Sequence, residues 1–222
     1  MKKFTKMWAI AACALFAGTA AVNAEDYTWK FVTAGDATTY AIRSDGSLWS
    51  WGWNEKGQGG NGVSERTATP TLADGNRVWK KAVGGKAYGF FLAEDGSLWA
   101  AGTHEGGVQG TNDGIDHKVL TRIGTDNDWA DMACSRFWGY SGFAIKTNGT
   151  LWAWGKNSAG QLGIGNTQAQ TAPVQVGADM DWKQVAAGCS SVLALKTDGS
   201  LWGWGFNMYS CLLYTSPSPR DA

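Results

Sequence analysis

Histidine, proline and cysteine are nearly missing from this chain, with two, four and four copies in 222 residues. So few cysteines exclude a disulfide-stapled scaffold, and neither they nor the histidines fall at a zinc-ligand spacing. An excess of charge of either sign is missing too: lysine plus arginine and aspartate plus glutamate number 19 each. No basic patch or stripe stands out, which argues against a nucleic-acid partner. Helical periodicity is absent beyond the leader described below. The one long apolar run, Met7 to Ala20, falls short of the roughly 20 residues that cross a bilayer, so no membrane span is expected. What is plentiful is glycine, 31 copies, and tryptophan, 14 copies. Glycine serves turns and tryptophan supplies buried area, and together they describe an all-β chain.

Both ends stand apart from the rest. MKKFTK, the apolar run and Val22-Asn23-Ala24 read in order as the basic, apolar and cleavage regions of a secretory signal peptide over residues 1–24. The expected location is therefore secreted or periplasmic. At the other end CLLYTSPSPRD, Cys211 to Asp221, shares nothing with what precedes it and resembles the translation of a transposase-type sequencing adapter. Residues 211–222 are expected to be a non-native tail, leaving 25–210 as the folded part.

That part repeats itself. DGSLWSWG (Asp45 to Gly52) returns as DGSLWAAG (Asp95 to Gly102), NGTLWAWG (Asn148 to Gly155) and DGSLWGWG (Asp198 to Gly205). A period near fifty residues is the signature of a repeat architecture, with units near 27–76, 77–126, 127–179 and 180–210. Asp45-Gly46, Asp95-Gly96, Asn148-Gly149 and Asp198-Gly199 between apolar runs predict two-residue type I′ hairpins. In that register Ile42 faces Trp49 and Tyr40 faces Trp51, all four on one face, while Leu48 shares the other with Ala41. The motif tryptophans Trp49, Trp99, Trp152 and Trp202 are then blade-packing residues. Each unit adds a Trp-led strand upstream and a glycine-rich loop and a Pro-marked strand downstream. Four short antiparallel strands per unit, apolar on both faces, predict sheets stacked as blades of a β-propeller.

The order Trp-x-x-Val-x-Ala-Gly, then Ala-Leu-Lys-Thr-Asp-Gly-Ser-Leu-Trp-x-Trp-Gly, then Gly-x-Asn-x-x-Gly-Gln-Leu-Gly-x-Gly resembles the regulator of chromosome condensation repeat. The likeness covers residues 27–210 and is fullest over Trp129 to Gly177. It departs at GQGGNG (Gly57 to Gly62) and at THEGGVQGTNDG (Thr103 to Gly114). The resemblance implies a seven-bladed ring of which about four blades are present, with apolar faces uncovered where the arc stops. It also implies a binding role, since extracellular bacterial members act as scaffolds, one kind being a propeller that inhibits beta-lactamases.

Function lives in sites rather than folds, and recognition is sought where the repeats differ. The Trp-to-turn spacing is 19 residues in the third repeat against 16 in the others. The extra length includes Arg136, Phe137, Trp138 and Tyr140, residue types that anchor interfaces. Trp53, beside the first glycine-rich loop, is a second candidate. The bland alternative is that these rings plug a gap between blades. His104, Glu105, Asp113, Asp116 and His117 form an irregular polar loop. Asp126, Asp128 and Asp131 lack the glycine and closing Glu of a calcium loop, so no metal and no cofactor is expected. No Ser-His-Asp or paired-carboxylate arrangement has support from its context. Cys134 and Cys189 lie one repeat apart near the same inner strand and either bridge neighbouring blades or stay as buried thiols. The expected function is a secreted scaffold binding an extracellular or periplasmic protein or glycan without chemistry. The alternatives are a carbohydrate-binding or structural module of a larger surface protein, and a propeller enzyme with a central site.

Overall fold

A computed structural model of the chain describes residues 28–207 and Leu212; the expected leader and nearly all of the expected tail lie outside the described residues. Fifteen strands follow in order. The first blade holds β1 (Trp29–Ala34), β2 (Thr38–Arg43), β3 (Leu48–Gly52) and β4 (Thr67–Asp74). The second holds β5 (Trp79–Gly84), β6 (Tyr88–Ala93), β7 (Leu98–Gly102) and β8 (His117–Arg122), and the third β9 (Trp129–Cys134), β10 (Ser141–Lys146), β11 (Leu151–Gly155) and β12 (Gln170–Gln175). The fourth shows β13 (Trp182–Ala187), β14 (Ser191–Lys196) and β15 (Leu201–Gly205). Each sheet is an antiparallel meander in chain order. The first strands of successive blades touch one another, so the sheets radiate from them as in a propeller. Among the described residues no helix is long and apolar enough to cross a membrane.

The hairpin register differs by one residue from the type I′ expectation. Ile42 pairs with Leu48, Ala41 with Trp49 and Tyr40 with Ser50. Arg43 N–H donates to Ser47 O and Gly46 N–H to Arg43 O. Gly46, at φ +87°, is the left-handed residue closing a three-residue loop. The cause is the residue after the glycine. Asp45 accepts both the N–H and the hydroxyl of Ser47, at 2.9 and 2.6 Å, an Asx-type arrangement that a two-residue turn would not allow. Ser47 Oγ in turn accepts Trp49 Nε1–H at 2.8 Å. The same Asp/Asn–Ser/Thr–Trp relay recurs at Asp95–Ser97–Trp99, Asn148–Thr150–Trp152 and Asp198–Ser200–Trp202, which explains why the motif is written as it is.

A one-residue slip exchanges faces, and the correction decides how blades stack. Tyr40, Ile42 and Leu48 share a forward face, and Ala41, Trp49 and Trp51 share the rear one. At each junction a forward face meets the next blade's rear face. Tyr40, Ile42 and Leu48 pack on Phe91, Trp99 and Ala101; Phe90, Leu92 and Leu98 on Met132, Ala144 and Trp154; Phe143, Ile145 and Leu151 on Val185, Val192 and Trp204. Each fully buried aliphatic or aromatic side chain here contributes about 1.5–3 kcal/mol. The motif tryptophans are half-buried on the rear faces, each edge-to-face with its blade's leading tryptophan, as Trp152 is with Trp129 at 5.9 Å. Lys146 sits over both of those rings and pairs with Asp126 and Asp128 at 2.6 and 3.1 Å. Lys196 repeats the arrangement with Trp182, Trp202, Asp179 and Asp181. The turn also reaches forward: Trp79, Trp129 and Trp182 N–H donate to the carbonyls of Gly46, Gly96 and Gly149 in the preceding blade.

One junction departs from the pattern and is compensated. Trp154 and Trp204 send their indole N–H to Val108 O and Gln161 O of the preceding blade's glycine-rich loop, at 2.8 and 2.9 Å. The second blade has Ala101 at that place, so Gln58 O lacks an indole donor. The buried Tyr40 hydroxyl donates to Gln58 O instead, at 2.9 Å, and Phe91 fills the vacated volume edge-on to Tyr40 at 5.2 Å. Tyr40→Phe is expected to cost about 1–3 kcal/mol, the penalty of a buried unsatisfied carbonyl, read as a lower urea midpoint at unchanged slope. An unchanged midpoint would mean that Gln58 O needs no donor.

Candidate functional site

The antiparallel meander sends connections to two ends. The Asp-Gly turns lie at one end, with the links between blades. At the other lie the glycine-rich loops and the short links between each blade's first and second strands. In the first, second and fourth blades those links are three-residue turns containing Asp36, Lys86 and Cys189. In the third blade the link runs from Ser135 to Tyr140, and here the three extra residues of the repeat reside.

This loop is held from all sides. Arg136 N–H donates to Gly188 O of the fourth blade at 3.1 Å. Tyr88 of the second blade donates its hydroxyl to Ser135 O at 2.6 Å. Phe137 N–H reaches Asp36 Oδ1 of the first blade at 3.4 Å, past the blade in between, so the loop overhangs the inner ends of the blades. Phe137 and Tyr140 take left-handed φ values of +53° and +46°, a conformation that costs a non-glycine residue of order 1–3 kcal/mol and persists only where its surroundings impose it.

Phe137 and Trp138 are each 60% exposed, while Tyr140 is 3% exposed. Tyr140 is therefore not a contact residue: it lies 5.9 Å from Tyr88 and edge-on to Trp138 at 6.4 Å, supporting the loop from below. Burial and the neighbouring Glu105 carboxylate push its hydroxyl pKa up to about 12. Arg136 is exposed, and the Lys86 ammonium lies over one face of Trp138. Trp53 lies at this same end of the first blade, half-buried, with its N–H on Ala37 O and its carbonyl accepting the Thr38 hydroxyl. The face thus presents Phe137, Trp138, Arg136 and Lys86, with Trp53 further out. Lys86 and Asp36 carry no signal in the sequence, because they occupy links of ordinary length that only the ring geometry brings beside the long one.

The cysteines do not bridge. Cys134 is a buried free thiol whose pKa burial pushes up to about 12, and Cys189 is free and exposed. Cys134 belongs to the core between the second and third blades, whereas Cys189 lies two positions further along its repeat, outside the strand and at the next junction. Their spacing places them near the same strand but not facing one another.

The second-repeat loop resolves into two His–Asp pairs, His104 Nδ1–Asp116 at 2.6 Å and His117 Nε2–Asp113 at 2.8 Å. Burial raises the Asp116 pKa, yet the His104 N–H, the His104 ring and Lys56 outweigh it and hold the carboxyl at about 2. Thr111 Oγ1 approaches the same His117 nitrogen, Nε2, at 3.4 Å. Acid and hydroxyl therefore do not occupy opposite ring nitrogens as a nucleophile–base relay requires. Among the described residues no group of three His, Cys, Asp or Glu is placed to hold a metal ion. Asp126 and Asp128 are spent on Lys146, and Asp131 on Lys81 at 2.5 Å.

Family models described as the regulator of chromosome condensation (RCC1) repeat match residues 29–58, 45–92 and 148–195, just over half of the chain. The ultraviolet-B receptor UVR8 of Arabidopsis thaliana is 30% identical over 163 residues, covering 72% of this chain and 37% of its own. Human protein RCC2 is 27% identical over 150 residues, covering 66% of this chain and 19% of its own. The chain thus spans about a third or less of these relatives. Yeast RCC1 (Prp20), solved with Kap60 bound, superposes with a TM-score of 0.73 at 20% identity over 89% of this chain and 48% of its own. With its blades and their stacking shared with that structure and its repeats matched by the family models, the chain belongs to the regulator of chromosome condensation repeat family.

Proposed function

We propose that this chain is an exported scaffold that binds a partner protein through the Arg136–Tyr140 loop and performs no chemistry. The observation that carries the reading is the pair Phe137 and Trp138, each 60% exposed on a loop tied to three other blades. Two large rings held in a fixed place lose little entropy on docking, which is what makes aromatic residues effective anchors. Yeast RCC1 binds a protein in its solved complex, which supports recognition of proteins by this fold without naming the partner here. Export rests on the leader pattern of residues 1–24. A glycan partner is less favoured, because Lys86 already covers one face of Trp138, the kind of surface on which a sugar ring would stack.

The test uses a random linear-peptide phage library selected against the immobilised chain. Selected peptides are expected to bind with micromolar Kd and to lose at least tenfold on Phe137→Ala or Trp138→Ala, while each variant keeps its unfolding free energy within about 0.5 kcal/mol. Peptides that bind both variants as well as the parent would remove the loop from the site, and a selection yielding no binder would count against the scaffold reading.

A further inference from the structure

The glycine-rich loops of the first three blades share one backbone course. Gly57, Gly107 and Gly160 N–H donate to the carbonyls of Asn54, His104 and Asn157, and Gly60, Gly110 and Gly163 N–H donate in turn to the carbonyls of those glycines, all at 2.9–3.1 Å. Asn54, His104 and Asn157 are therefore equivalent, as are Gly59, Gln109 and Leu162, and Val63, Asp113 and Asn166. In the first and third loops the asparagine carboxamide ties the two limbs together. Its oxygen accepts Gly59 N–H at 2.7 Å or Leu162 N–H at 2.9 Å, and its nitrogen donates to Val63 O at 3.0 Å or Asn166 O at 2.9 Å. The second loop has no such tie, because His104 turns its exposed ring to Asp116. Gln109 N–H and Asp113 O have no partner among the described residues.

Gln109 adds a third open group. It is 1% exposed, and its Nε2 donates to Thr103 O at 2.9 Å. Only the nitrogen can make that bond, so Oε1 is the atom left without a donor, a costly state for a buried acceptor. A Cβ at the equivalent Gly59 would stand 2.9 Å from Asn54 Oδ1, so the Gln109 side chain sets out toward the place that the carboxamide holds in the first loop. Beside it lies a cleft of about 130 Å³, bounded by His104 and Gly107 on one limb, by Gln109, Thr111 and Asn112 on the other, and by Thr171 of β12. That is well above the roughly 10–15 Å³ that one water needs. Asn112 takes a left-handed φ of +60°; its N–H donates to Thr171 O at 3.0 Å and its side-chain oxygen accepts the Thr171 hydroxyl at 2.5 Å. The outer wall is thereby pinned to the third blade, and the cleft is preformed.

We propose that this cleft binds a primary carboxamide, carried by a free small amide or by an asparagine or glutamine side chain of another molecule. One donor, Gln109 N–H, and two acceptors, Asp113 O and Gln109 Oε1, match the oxygen and the two N–H groups of such a ligand, and the neighbouring loops hold the same group in the same place. An anion brings no donor, and an ammonium brings no acceptor. The site is separate from the Arg136–Tyr140 loop and does not depend on it.

Titration of the nitrogen-15-labelled full chain with acetamide, followed through the amide signals of Gln109, Thr111 and Asn112, tests this. A saturable shift with a Kd of about 1–100 mM is expected, the range open to so small a ligand. Acetate and N,N-dimethylacetamide, which lack the N–H groups, are expected to bind at least about tenfold more weakly. Gln109→Leu copies Leu162, removes Oε1, and is expected to weaken acetamide by at least about tenfold. His104→Asn supplies the carboxamide from within, and is expected to abolish acetamide binding while raising the urea midpoint. Should Gln109→Leu not fold, His104→Asn decides alone. The tripeptide Gly-Gln-Gly, with Gly-Glu-Gly as its control, separates the two sources: tighter binding than acetamide assigns the cleft to a side chain, weaker binding to a free amide. No saturable shift up to about 500 mM acetamide, an equal response to acetate, or unchanged binding in His104→Asn overturns the proposal and leaves the cleft to water.

Discussion

Trp154→Ala is expected to destabilise the chain by about 3–5 kcal/mol, the usual cost of emptying a buried aromatic site, and to lower Tm by roughly 10 °C. Trp154 is fully buried between the second and third blades, edge-on to Phe90 at 5.2 Å, with its indole N–H on Val108 O. Removing it leaves a cavity and strips a buried carbonyl of its donor. The chain already carries alanine at the equivalent place, Ala101, but there the Tyr40 hydroxyl and the Phe91 ring take over. At the junction of the second and third blades the matching residues are Phe90 of the second, which has no hydroxyl, and Ala144 of the third, which has no ring. Adding Phe90→Tyr and Ala144→Phe to Trp154→Ala is therefore expected to recover part of the loss. Thermal and urea unfolding of the three proteins measure this. A loss below 1 kcal/mol for the single variant, or no recovery in the triple one, would show that the junctions do not share one packing logic.

Gly149→Ala is expected to cost clearly more than Gly199→Ala, although both glycines close the same turn at φ +81° and +88°. The left-handed conformation alone costs alanine roughly 1–2 kcal/mol at either site. At Gly199 nothing lies within 4 Å of the added methyl group, whereas at Gly149 it would run into the Met180 carbonyl. That carbonyl belongs to the link leading into Trp182, whose N–H donates to Gly149 O at 3.0 Å. Relieving the clash means moving the turn away from the next blade and losing that bond, a further cost of about 1–3 kcal/mol. Urea midpoints of the two variants compare directly. Equal losses would mean that the turn serves its own hairpin and does not tether the blade that follows.

The turn shows how far the sequence could be read. Aspartate-glycine between apolar runs announces a hairpin because glycine alone accepts the left-handed angle, and the fourfold return of the motif announces blades. The exact register was not legible. It depends on whether the Asp45 carboxylate bonds the residue beyond the glycine, a choice worth one position that nonetheless exchanges the two faces. The candidate loop was legible as an irregularity in spacing, and Arg136, Phe137, Trp138 and Tyr140 do lie together. Which of its rings meet solvent was not, because Tyr140 is buried by Tyr88 from another blade. Lys86 was not found at all, since nothing local distinguishes it.

By itself the sequence determined the all-β class, the repeat of about fifty residues, the hairpin positions and the place where one repeat departs from the rest. These follow from local chemistry, namely glycine angles, aromatic and aliphatic alternation, and the length of one link. The tertiary structure alone decided the pairing of forward with rear faces, the replacement of an indole by the Tyr40 hydroxyl, the free state of Cys134 and Cys189, and the exposure of Phe137 and Trp138 over a buried Tyr140. Apart from the Tyr40–Gln58 bond, which joins residues 18 positions apart, these outcomes rest on how residues about fifty or more positions apart are placed, and that placement is set by how one sheet lies on the next.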